Sequence, residues 1–217
     1  MSYIEPIRQI ADLGGPVVLI LIAVSIVALA TVLYKLWQFT AAGVGRHRAL
    51  SDAVAAWDRG DRAAAARALD KSRSYLAPVV DMALNASPED TTRLEAEAET
   101  RFARLESGFR FLDSVAQLAP LLGLFGTVLG MIEAFQSLQG AGAQVDLSIL
   151  AGGIWVALLT TAVGLAVAMP TALVLSWFEG RMDAERITAE RAIATILHPN
   201  GRTPVETDAA QGALTRA

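Results

Sequence analysis

Cysteine is missing from the chain altogether, which excludes disulfide frameworks, thiolate metal sites and thiol nucleophiles. Aromatic residues are scarce, at 6%, although 53% of the chain is hydrophobic. Alanine and glycine carry much of that apolar content, which suits helices packed closely against other helices in lipid. Histidine occurs twice, at His47 and His198, both outside the apolar runs, so neither supports a catalytic or metal site. A net charge of −4 and a pI near 5.2 argue against nucleic acid as the main partner. The 44–86 region carries no Gly-rich phosphate loop, no metal-ligand spacing and no repeat.

The most telling absence is of charge. From Leu147 to Phe178 the chain runs 32 residues without one charged side chain. A bilayer core about 30 Å thick takes roughly 20 apolar helical residues to cross. Leu13–Tyr34, with 22 residues, and Ser114–Ile132, with 19, are charge-free too. The expected fold is an all-α integral membrane protein with three spans. The N-terminus does not read as a cleavable signal peptide, because Glu5 and Asp12 replace a basic leader and the apolar run is too long.

Basic residues set the expected orientation. Eleven Lys/Arg lie between Arg46 and Arg110, and five more follow the third span, from Arg181 to Arg216. The Ala134–Asp146 connection has none, and only Arg8 precedes the first span. By the positive-inside rule the 38–110 region and the tail are cytoplasmic. The chain therefore divides into a non-cytoplasmic N-terminus (1–12), a first span (13–37) and a cytoplasmic helical cap (38–87). A cytoplasmic extension (88–112) leads into the second span (113–135), and a periplasmic loop (136–147) leads into the third (148–178). A second extension (179–197) and a disordered tail (198–217) complete it. Ser87, Pro88, Glu89 and Asp90 read as a helix start. Leu94, Ala98, Phe102, Leu105, Phe109 and Leu112 then recur at helical spacing. Between Pro88 and Pro120 the candidate stop is Gly108, so a helix from 88 to about 135 is expected.

Polar chemistry inside the spans is sparse and concentrated. Span two carries Thr127 among Gly123, Gly126 and Gly130, with Glu133 at its outer edge. Span three carries Thr160 and Thr161, then Gly164 and Pro170. Gly126 and Gly130 form a small-xxx-small face that permits close helix approach. A membrane threonine commonly bonds its own preceding carbonyl, so each hydroxyl has a purely structural reading beside a functional one. Pro120 and Pro170 read as kinks. Glu133 reads as a solvated interfacial carboxylate. With no intramembrane charge, catalytic constellation or inverted repeat, an enzyme or secondary transporter is disfavoured.

The run Ala119-Pro120-Leu121-Leu122-Gly123-Leu124-Phe125-Gly126-Thr127-Val128-Leu129-Gly130 resembles the second-span signature of the ExbB/TolQ/MotA proton-channel family. So does Gly153–Pro170 for the third span, and Gly14-Gly15-Pro16 with Lys35-Leu36-Trp37 for the first. Three spans look like ExbB or TolQ rather than MotA, and the wording of spans one and three lies closer to ExbB. The resemblance implies a pentameric ring around single-span ExbD- or TolR-like helices, each with an essential aspartate. The motor would draw on protons, without a cofactor, and deliver energy to TonB- or TolA-like proteins from a bacterial inner membrane. It places Thr127 and Thr161, with Thr160 beside it, on the ion path. It also places Val156 where many members carry a glutamate, a turn and more from the level of Glu133. Two readings stay open: a TolQ-like role in outer-membrane integrity, and a non-conducting scaffold, for which Val156 is the best support. The lack of a further carboxylate near the threonines favours protons over sodium.

Overall fold

The computed structural model describes residues 5–140 and 147–199, without the side chains of 5–14, 147 and 149. Residues 1–4 of the N-terminus, residues 141–146 of the 136–147 loop and the tail from 200 lie outside the described residues. Every element among those described is helical: α1 (Glu5–Ala42), α2 (Arg48–Asp58), α3 (Arg62–Leu69), α4 (Ala77–Leu84), α5 (Thr91–Glu106), α6 (Phe109–Gly140) and α7 (Leu147–Leu197). A short 3₁₀ turn, Pro88–Asp90, precedes α5. Three stretches are long and apolar enough to cross a membrane: Gly15–Ala42, Phe109–Gly140 and Leu150–Leu197. They contain the three charge-free runs from which spans were expected, apart from residues before Gly15 and Leu150.

The residues fall into two compact units. One combines the chain up to Lys35 with Ser107–Glu179; the other combines Leu36–Glu106 with the chain from Gly180 on.

In the first unit, Val17, Leu21, Ala119 and Ala168 form a buried cluster, flanked by Leu122, Leu129, Val163 and Val167. Six of these eight residues are Val or Leu, so this cluster is held by branched side chains, with Ala119 and Ala168 as its small members. Phe109 and Phe178 stack at 5.6 Å between ring centres, tilted by 21°. Lys35 is almost wholly buried there. Its Nζ donates to Ser107 Oγ at 3.3 Å and lies 5.9 Å from the Phe109 ring centre. Helix α1 is interrupted at Gly15, whose φ of 63° and ψ of −166° are non-helical, immediately before Pro16. Helices α6 and α7 run on through Pro120 and Pro170.

The helix expected from 88 to about 135 is divided instead. Gly108 takes φ 92°, a left-handed conformation open to glycine, and α5 ends just before it. At the other end of α5, Ser87 N–H donates to Asp90 Oδ2 at 3.0 Å, so the helix-start signature operates as a capping box.

The second unit is a small helical assembly. Its core draws Leu50 and Ala53 from α2, Val79 and Val80 from α4, Phe102 from α5 and Ile193 from α7. Trp57 donates its indole N–H to the Ile196 carbonyl at 3.0 Å, and the Arg62 guanidinium stacks 3.3 Å above its ring. Asp61 caps α3, accepting from Ala64 N at 2.8 Å.

Candidate functional site

One polar position of the spans, Thr160, lies in a seam of small residues between α6 and α7. Gly123, Gly126 and Gly130 recur on one face of α6 at three- and four-residue spacing. Ala157, Thr160 and Gly164 do the same on α7. A Cβ at Gly164 would sit 2.5 Å from the Ala119 carbonyl oxygen and 3.1 Å from Gly123 Cα. One at Gly126 would sit 2.7 Å from Thr160 Oγ1, and one at Gly130 3.1 Å from Ala157 Cβ. No side chain larger than hydrogen fits the tightest of these positions, so glycine here sets the helix separation.

Thr160 is buried in this seam. Its hydroxyl lies 2.7 Å from the Ala157 carbonyl in its own helix and 3.1 Å from the Gly123 carbonyl across the interface. Thr161, one position on and about 100° round the helix, differs: its Oγ1 is buried yet finds no hydrogen-bond partner among the described residues. A membrane threonine ordinarily satisfies itself on the preceding turn, as Thr127 does on Leu124 O at 2.6 Å and Thr171 on Val167 O at 2.8 Å. The unsatisfied Thr161 hydroxyl keeps both its donor and its acceptor capacity.

The structure thus brings Gly123, Gly126, Gly130, Gly164 and Thr160 together. Thr127 is half-buried on α6, with its hydroxyl turned back on its own helix. Pro170 stands apart, exposed on α7 between buried Ala168 and Thr171. Val156 is half-buried and lines a cavity of about 360 Å³ with Glu133, Ser137 and Thr160. Val156 and Glu133, separated by level in the sequence reading, face one space.

The second unit holds a buried polar cluster that sequence reasoning did not find. The Glu185 side chain, 2% exposed, accepts from Gly45 N–H at 2.9 Å, from Tyr75 O–H at 2.9 Å and from His47 Nε2 at 2.6 Å. On its other ring nitrogen, His47 Nδ1 lies 3.1 Å from Ser74 Oγ. Burial by itself would raise the Glu185 pKa, but bonding and charge from His47, the Tyr75 hydroxyl and nearby Arg181 outweigh it. The carboxyl is held below its ordinary value. Burial and the adjacent Glu185 charge push the Tyr75 hydroxyl up, which keeps it a donor. A signal was present in the sequence: Met182, Glu185, Ala189 and Ile193 share one helical face, and a carboxylate on an apolar face needs partners. Close by, Arg186 bonds Glu99 at 3.0 Å and Glu106 at 2.7 Å, tying α7 to α5.

No cluster of metal-ligating side chains occurs among the described residues. The chain is 37% identical over 170 residues to a Synechocystis protein named as ExbB-like biopolymer transport protein 1, covering 74% of this chain and 66% of that one. An ExbB homologue of Methanothermobacter thermautotrophicus is 28% identical over 190 residues, 85% of this chain and 67% of that one. The Tol-Pal system protein TolQ of Haemophilus influenzae is 42% identical over 80 residues, 37% of this chain and 35% of its own. The chain spans about two thirds of the length of the first two relatives. Residues 57–191 match the description "MotA/TolQ/ExbB proton channel family". That match covers well over half of the chain, including α5, α6 and nearly all of α7 with the glycine seam, and the chain belongs to the MotA/TolQ/ExbB proton channel family.

Proposed function

We propose that the chain is the ring subunit of an inner-membrane motor that spends the proton motive force to energise TonB-dependent transport at the outer membrane. Five copies would surround single-span, ExbD-like helices, each bearing one aspartate. The N-terminus and the 136–147 loop would face the periplasm, and the 38–112 region and the chain from 179 the cytoplasm. The coupling ion would be the proton, with no cofactor.

The observation that carries this reading is the contrast between Thr160 and Thr161. One hydroxyl is consumed in holding α6 to α7. The next is buried, unsatisfied and able either to donate or to accept. A carboxylate that changes charge as it passes needs a neighbour that can donate to its ionised form and accept from its protonated form, and a hydroxyl does both. Thr127 would serve the same path from α6.

Native mass spectrometry of the complex, taken from its own membranes through a tag on this chain, tests the assembly. Five copies with a small single-span protein carrying an intramembrane acid support the motor and identify its branch, TonB or Tol. A second reading, a non-conducting scaffold, draws on Val156, an apolar side chain in the cavity wall. Five copies with a partner lacking any intramembrane acid would put that reading first.

A further inference from the structure

The cavity between α1, α6 and α7 has a chemistry of its own. At about 360 Å³ it has room for on the order of ten waters, at roughly 30 Å³ each. Gly15 and Pro16, at the interruption of α1, form part of one wall; Gly152 and Val156 form part of another. Three polar side chains line it: Glu133, Ser137 and Thr160.

Each of the three offers acceptors to this space and no spare hydrogen. The Thr160 hydroxyl hydrogen is committed to the Ala157 and Gly123 carbonyls. The Ser137 hydroxyl donates to the Glu133 carbonyl at 2.9 Å. The ionised Glu133 carboxylate is acceptor-only. Among the described residues, Lys, Arg and His are absent from the lining, and Glu133 is the one ionisable side chain in it. Glu133 makes no hydrogen bond or ion pair through its carboxylate among the described residues. Glu133 and Ser137 are exposed and Thr160 is buried, so the polar lining runs from side chains that solvent already reaches to one that it does not, and the carboxylate beside a charge-free span keeps its water. Most of the lining is Gly, Pro, Val, Leu and Ala, but three acceptor-bearing side chains stand in it, and a cavity of this size with such acceptors holds water, unlike a wholly apolar void.

We infer that this cavity is a water-filled, cation-attracting vestibule within a single subunit, with Glu133 as the charge that draws protons in toward Thr160. Val156 leaves its wall smooth and uncharged. The identity of the cation rests on the proton-motor reading above; the wetness and the sign of the charge do not.

The absence of cysteine makes a direct test possible, because any introduced thiol is the only one in the chain. Gly152→Cys and Val156→Cys, one helical turn apart, are made in the full chain in its own membranes. A Cβ at Gly152 meets nothing within 4 Å, so that variant is sterically free. Each is treated with two water-borne methanethiosulfonates, one carrying a trimethylammonium and one a sulfonate. Such reagents need the thiolate, and hence water at the site. Both positions should react, with the cationic reagent faster by about tenfold after correction for a free thiol, the preference that one nearby carboxylate produces. Glu133→Gln should abolish most of that preference.

If both thiols stay unmodified while Ser137→Cys reacts, the cavity is dry and the inference fails. A cation preference untouched by Glu133→Gln would remove Glu133 from its role. Should Glu133→Gln not accumulate in the membrane, high salt reads the same charge by screening it, and a ratio indifferent to salt overturns the assignment. Labelling requires neither a partner nor turnover, so a complex that proves not to transduce energy leaves these outcomes readable.

Discussion

Thr160 and Gly123 are joined across two helices: the Thr160 hydroxyl lies 3.1 Å from the Gly123 carbonyl while sharing its hydrogen with Ala157 O. Its neighbour Thr161 shares with nothing among the described residues. Two adjacent threonines therefore predict opposite phenotypes.

Thr160→Val removes the interhelical bond at nearly constant shape. The solubilised protein should lose about 0.5–1.5 kcal/mol, the range for hydrogen bonds between membrane helices, read as a lower melting temperature. Thr161→Val breaks no bond, so stability should hold within about 0.5 kcal/mol while proton-driven output is lost. Thr161→Ser, which restores a hydroxyl, should recover that output. Full activity in a normally expressed Thr161→Val variant would show that this hydroxyl has no part in the ion path.

Glycine at 164 is set by contact, and its substitution should be felt at once. In Gly164→Ala the new methyl meets the Ala119 carbonyl at 2.5 Å, which the backbone must yield to accommodate. A cost of about 1–3 kcal/mol is expected for such overpacking. Gly152→Ala in the same helix meets nothing within 4 Å and should be neutral or stabilising by up to about 1 kcal/mol. Comparing the two melting temperatures separates seam packing from a general intolerance of alanine.

At Gly108 the constraint is the backbone rather than space. A Cβ there would make ordinary contact with Lys35 Cε at 3.4 Å, but φ 92° is unfavourable for any L side chain. Gly108→Ala should cost about 1–2 kcal/mol. The same change at helical Gly180, where nothing lies within 4 Å, should cost nothing. Equal melting temperatures for both variants would mean that the break at Gly108 is dispensable.

Glu185 supplies a pH dependence with a definite sign. Its carboxyl is held below the ordinary value of 4.5 in the folded chain. Its stabilising contribution is therefore fully present above pH 4.5 and is lost as the pH falls through the folded-state value. Glu185→Gln should destabilise by about 1.5–3 kcal/mol near neutrality, because charge-assisted bonds from Gly45, Tyr75 and His47 are weakened together. The gap between the melting curves of the two proteins should narrow progressively as the pH falls below 4.5. Parallel curves down to strongly acidic pH would show that the carboxylate is not the stabilising form.

How much of this could be read from the sequence depended on range. Spans need only local composition, and the charge-free runs locate them because lipid penalises every intervening charge. The Ser87–Asp90 cap is equally local. Gly108 was visible as a candidate stop, but its left-handed backbone was not, since the long apolar periodicity continues across it. Thr160 and Thr161 could not be told apart, because which of two adjacent side chains faces α6 depends on the rotational setting of both helices. The distance between Glu185 and His47 is greater still: 138 residues of chain separate them, and no local pattern couples them.

Most of the surface of the three spans faces away from this chain. In their most apolar windows, 22%, 22% and 28% of the residues are buried. Acyl chains are about as apolar as the leucines and valines that remain, so water exclusion gives two copies in a bilayer no reason to meet. Any association of this chain within the membrane is an exchange reaction, in which lipid leaves a helix face and protein takes its place. The balance of such an exchange shifts with acyl-chain length and bilayer thickness as readily as with a side chain. The lipid around this protein is thereby a reagent in any such association, and changing it should shift that equilibrium without a single mutation.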